Sequence, residues 1–153
     1  MMQIAILLFD GITALDAVGP YEVLSRIPGA AVSWVAAVPG PKKAKGGLSL
    51  TADHPLDDVP HPQIVLVPGG SGVDKTMQDP AVIRWVRAAH ETSRFTTAVC
   101  TGSLILGQAG LLRGLKATTH WNYRERLAAF GADVVTERVV REGKIVTAAG
   151  VSA

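Results

Sequence analysis

Cysteine is nearly absent: Cys100 is the single one among 153 residues. That excludes a disulfide framework and a cysteine-based zinc site, and it suits a reducing compartment. His54, His61 and His90 show no metal-ligand spacing, so no metal is expected. Charge is sparse as well, at 18% of residues against 48% hydrophobic, with a mean hydropathy of +0.26. This balance excludes a disordered chain. The apolar runs are all too short to cross a bilayer, and the N-terminus lacks the basic region and cleavage site of a secretory signal. No membrane association and a cytoplasmic location are therefore expected. The net charge of +2 is scattered. Its one tight basic cluster, Lys42, Lys43 and Lys45, lies in a Pro/Gly-rich stretch expected to be an exposed loop, so no nucleic-acid partner is expected. Gly-x-Gly-x-x-Gly and P-loop patterns are both missing, which argues against nucleotides.

What is present centres on Phe95 to Gly110. Phe95–Val99 is a β-branched and aromatic run suited to a buried strand, and Ser103–Ala109 is small and apolar like a core helix. Cys100-Thr101-Gly102 joins them. A sulfur on that turn would face the free N–H groups of the helix start, which lowers the expected thiol pKa.

The rest alternates in the same way. Strands are expected at Gln3–Phe9, Ala30–Val38, Leu48–Asp53, Gln63–Val67 and Lys116–Thr119. Helices are expected from Thr13 to about Arg26, bent or divided at Gly19-Pro20, from Asp79 to about Glu91, and from Asn122 to Phe130. Asp133–Arg141 and Lys144–Ala148 should pair as a hairpin. One domain over residues 1–153 follows, a three-layer α/β sandwich with a mainly parallel sheet. A covering helix would normally come after the last strand. Either that helix is missing from this chain or a partner subunit covers the face.

Three strand ends meet at one sheet edge: Asp16 after the first, Gly69-Gly70 after the Ile64 strand, and Cys100 after the Phe95 strand. Together they supply a nucleophile, a carboxyl group and backbone donors, the ingredients of covalent catalysis. Each residue also has an ordinary reading, as an inert core thiol, a helix cap and a simple turn. Their shared location favours a site. His120, in Thr118-Thr119-His120-Trp121, either reaches the sulfur as base or polar wall, or only bonds backbone at a strand end.

Four stretches, Asp16–Leu24, Val67–Gly70, Ala98–Ser103 and Ala117–Trp121, together resemble the DJ-1/PfpI superfamily, and within it the isonitrile hydratases. The resemblance implies a flavodoxin-like α/β/α sandwich, a homodimer and a cysteine on a nucleophile elbow. By motif match it implies Cys100 as nucleophile, Asp16 as essential acid and Thr101 as essential neighbour. The oxyanion donors would be the N–H groups of Gly70 and Thr101. The substrate would be a small isonitrile, hydrated to an N-substituted formamide without a cofactor. Peptidase-like branches place histidine directly after the cysteine, and Thr101 departs from that. Two other readings accompany this one, a non-enzymatic effector-sensing domain of an AraC-type transcription regulator and a cysteine-based oxidative or carbonyl-stress protein.

Overall fold

The computed structural model describes residues 2–150; Val151–Ala153, and with them the expected cover beyond the last strand, lie outside the described residues. In chain order the elements are β1 (Met2–Leu7), α1 (Ala14–Leu24), β2 (Ala30–Ala36), β3 (Gly40–Lys43), β4 (Ser49–Ala52) and β5 (His54–Pro55). Then come β6 (Ile64–Val67), α2 (Val73–Thr76), α3 (Pro80–Thr92), β7 (Phe95–Val99), α4 (Gly102–Gln108) and β8 (Lys116–Ala117). The last are α5 (Arg124–Ala128), β9 (Asp133–Val134), β10 (Val139–Glu142) and β11 (Ile145–Ala148).

Seven strands form the central sheet in the order β10-β11-β7-β6-β1-β2-β5, parallel throughout except for the β10–β11 pair. Its five main parallel strands, β2-β1-β6-β7-β11, therefore run 2-1-3-4-5, the flavodoxin-like order. Burial explains their composition. All four residues of β6 and Ile4–Leu7 of β1 are buried, as a strand covered on both faces requires. Gly102–Gly107 of α4 is buried on every side, and Leu104, Ile105 and Leu106 belong to the same core cluster as β1 and β6. The strand order reverses between β1 and β6. Chains leaving these two strands diverge, so the crevice for a ligand opens at their carboxyl ends.

Several expectations are corrected. Thr13 stands at the N-cap of α1 but makes no capping bond, and α1 is one uninterrupted helix with Pro20 inside it. Gly40–Lys43, expected as a loop, is a strand because it pairs antiparallel with β4 in a separate two-stranded sheet. The span Asp133–Arg141 does not form one arm of a hairpin. Asp133-Val134 pairs in parallel with β8, and only Val139–Glu142 pairs with β11, across the turn at Gly143. The strand expected over Lys116–Thr119 ends at Ala117, and the helix after it begins as a 3-10 turn at Trp121–Tyr123 before α5.

At the start of α3, Asp79 accepts a bond from the Ala81 N–H, with Pro80 at the first helical position, as expected. At its other end His90 Nδ1 lies 2.8 Å from Thr96 Oγ1, which in turn lies 2.8 Å from Ser93 Oγ. Burial, and then the nearby Lys144 ammonium, push the His90 imidazole below its usual pKa. A base depressed in the folded state contributes stability above its unfolded pKa and loses it as pH falls through the folded value. Thermal melts below about pH 6.5 should therefore show falling stability that His90→Gln flattens. Parallel pH curves for the two proteins would contradict this.

Candidate active site

The joint between β7 and α4 is an elbow. Cys100 has φ 58°, the only positive φ at a non-glycine among the described residues. The strain is held by four backbone-directed bonds. The Cys100 N–H donates to Ala148 O (2.8 Å), the Ser103 and Thr119 hydroxyls donate to Cys100 O (3.2 and 3.0 Å), and Leu104 N–H donates to Thr101 O (3.0 Å). Glycines let the neighbours close in. A Cβ at Gly102 would stand 2.1 Å from Val67 O, and one at Gly150 would stand 2.5 Å from Cys100 Cβ.

Asp16 enters from the first turn of α1 and is 2% exposed. Its Oδ2 accepts the Gly69 N–H at 3.2 Å, across the switch point between β1 and β6. Burial raises the Asp16 pKa; the Gly69 N–H, the His120 ring and the Cys100 thiol partly oppose this by favouring the carboxylate. The thiol behaves contrary to the expectation from the helix start. Burial first, and then the Asp16 charge, push the Cys100 pKa up, and the N–H and hydroxyl of Thr101 recover only part of the shift. Helix α4 has seven residues, and its N-terminal field acts on a cysteine that is 7% exposed beside a carboxyl group. Desolvation and like charge outweigh it. Both groups thus favour their protonated forms more than they would in water.

Thr101, 4% exposed, is tied to the loop after β6: its Oγ1 accepts the Gly70 N–H at 3.0 Å and faces Gly70 O at 3.4 Å. The Gly70 N–H is therefore engaged by a side chain. The Thr101 N–H is directed at the sulfur. His120 is half-buried. Its Nδ1 accepts the Asn122 N–H (3.1 Å), which leaves Nε2 to carry the proton of the neutral ring, and the ring stacks on Trp121 with centroids 5.4 Å apart. A positive charge on this ring would favour the Asp16 carboxylate. The backbone bond matches one of its two readings, and among the described contacts none joins the ring to the Cys100 sulfur.

Sequence reasoning did not assign roles at the site to Ser103, Thr119 and Gly150. The Thr-Thr-His-Trp stretch contained the signal for Thr119. Gly150 had none, because its place beside Cys100 follows from the pairing of β11 with β7.

The profile of the DJ-1/PfpI family matches residues 2–153. An isonitrile hydratase of Pseudomonas putida is 41% identical over 152 residues, which span 99% of this chain and 67% of the relative. The HTH-type transcriptional regulator CdhR of Pseudomonas aeruginosa is 29% identical over 143 residues, covering 89% of this chain and 41% of the regulator. Among solved structures, a THiJ/PfpI family protein from Pseudomonas syringae superposes with a TM-score of 0.95 at 36% identity, covering 99% of this chain and 63% of that one. These relatives are all longer than the chain. With the elbow cysteine, the flavodoxin-like strand order and a match along nearly its whole length, the chain belongs to the DJ-1/PfpI family.

Proposed function

We propose that the protein is an isonitrile hydratase that converts a small isonitrile to an N-substituted formamide. The observation that carries this reading is the buried Cys100–Asp16 pair at the switch point, a thiol beside a carboxyl group, both with raised pKa values. An isonitrile's terminal carbon accepts a nucleophile and a proton together, so it suits such a pair. Cys100 Sγ forms a bond to this carbon while the Asp16 carboxyl proton moves to the same carbon, giving a thioimidate. Water adds to that carbon, with one of its protons going to the Asp16 carboxylate and the other to the nitrogen. Collapse of the adduct breaks the C–S bond, expels the thiolate and releases the formamide. The chemistry calls for no metal or organic cofactor.

In this scheme Cys100 is the nucleophile and Asp16 the acid and base. Thr101 steadies the thiolate through its N–H and hydroxyl, and His120 forms a polar wall beside the acid. The raised pKa of Asp16 favours the protonated acid that the first step uses, and a homodimer fits the family resemblance. Incubation with cyclohexyl isocyanide should yield N-cyclohexylformamide from the wild type and none from Cys100→Ala. Equal product from both proteins would sink the proposal.

A second reading rests on the match to CdhR along 89% of the chain. Here the domain binds an effector without turning it over. It predicts a folded wild type that makes no formamide but is stabilised against heat by a small ligand.

A further inference from the structure

The Gly70 N–H is already engaged, and this bears on which substrates the site accepts. Acyl transfer places a full negative charge on oxygen and needs preorganised donors at that position. The family resemblance assigns two backbone N–H groups at this elbow to that role, those of Thr101 and Gly70. The Thr101 hydroxyl occupies the second, accepting it at 3.0 Å and facing the Gly70 carbonyl at 3.4 Å. The threonine is not free to swing away. It is 4% exposed, its β-branched side chain has few rotamers, and Gly69 packs so closely that a Cβ there would stand 2.7 Å from Thr101 Oγ1 and 2.6 Å from Thr101 N.

We propose that Thr101 acts as a plug in the oxyanion donor pair, positioning the site for addition to an isonitrile carbon and against acyl transfer. Addition to an isonitrile places no lasting charge on oxygen, because the carbon takes the Asp16 proton as the C–S bond forms. The lost donor therefore costs the C–S bond-forming step nothing, while an ester or amide meets a site with one donor in place of two already in its first step. This inference rests on the hydratase reading for its preferred substrate and on the Gly70–Thr101 contact alone for its rejected one.

The test measures two substrates on wild type, Thr101→Ser and Thr101→Ala. With p-nitrophenyl acetate, the Cys100 thiolate bonds the carbonyl carbon and its π pair moves to oxygen. Collapse then expels nitrophenolate, and water cleaves the thioester to acetate. Thr101→Ala frees the Gly70 N–H, so its nitrophenyl ester turnover should rise about tenfold or more, since one oxyanion donor is worth ~10²–10³ in kcat. Cyclohexyl isocyanide hydration should fall in the same variant, because the hydroxyl that favours the thiolate is gone. Thr101→Ser retains the hydroxyl and should hold the ester rate below that of the alanine variant. A folded Thr101→Ala no faster than wild type on the ester overturns the inference, as does a serine variant that matches it. Should Thr101→Ala fail to fold, hydrogen exchange on the wild type decides: a protected Gly70 amide supports the plug, and one exchanging as an open loop overturns it. A wild type that makes no formamide counts against the hydratase reading only, because the ester comparison is read independently.

Discussion

Replacing Asp16 by asparagine should cut isonitrile hydration by ~10²–10⁴-fold, the usual contribution of a positioned general acid or base. The same change should let the Cys100 thiol ionise at lower pH. The two effects oppose ordinary intuition, which ties a more acidic thiol to a faster enzyme. They arise from the geometry. The Asp16 charge is, after burial, the largest contribution raising the thiol pKa, so an amide in its place relieves the repulsion. The amide has no proton to give to carbon, so the thiolate gained is unproductive. Thiolate absorbance measured against pH and formamide release measured on the same samples would check both. An Asp16→Asn protein that keeps its rate, or whose thiol titrates as in the wild type, would contradict the coupled pair.

The pair also has a stability signature with a definite sign. Both folded pKa values are raised, so each group contributes stability fully present below its unfolded pKa and lost as pH rises through the folded value. For Asp16 that loss begins just above the ordinary carboxyl range and for Cys100 just above the ordinary thiol range.

Gly102→Ala should unfold the protein or destabilise it by more than about 4 kcal/mol, a size reserved for core disruption. Helix propensity alone gives the opposite sign, because alanine is better than glycine in a helix by ~1 kcal/mol. The structure reverses that sign. Gly102 is the first residue of α4, buried where the helix start crosses the end of β6, and a Cβ would stand 2.1 Å from Val67 O and 2.8 Å from Pro68 O. Both obstacles are backbone at the end of a central strand, so neither moves without shifting β6. Gly19→Ala is the matched control. It is also a helical glycine, but its Cβ would meet only Leu15 Cδ1 at 3.8 Å, an ordinary contact, so it should stabilise by ~0.5–1 kcal/mol. Chemical denaturation of the two variants beside the wild type separates the effects. Similar shifts in one direction would show that propensity, and not the elbow's packing, decides.

The central sheet was legible because its strands announce themselves. Ile4–Leu7 and Ile64–Val67 are continuous apolar runs, and glycine or proline closes the strands at Ala30–Val38 and Gln63–Val67. The state of β3 and the pairing of β9 were misread, and the end of β8 was overrun, because polar two- to four-residue stretches carry too little pattern and pairing partners elsewhere in the chain decide their state.

The amino-acid sequence by itself determined the parallel α/β architecture and brought Asp16, Gly70 and Cys100 to one sheet edge, since alternating strands and helices leave only a few ways to wind a sheet. Tertiary structure alone decided how those groups behave. The direction of the Cys100 shift depends on a carboxyl group 84 positions earlier in the chain, which is 100 minus 16, and on burial that no local pattern records. The engaged N–H of Gly70 and the crowding at Gly102 and Gly150 are likewise contacts between distant segments. Local propensity reports what a residue can do within its own turn. Desolvation, charge and hard contact are set by whatever the fold brings within a few ångströms, and at this elbow they reverse the sign of the local expectation for both the thiol and the glycine.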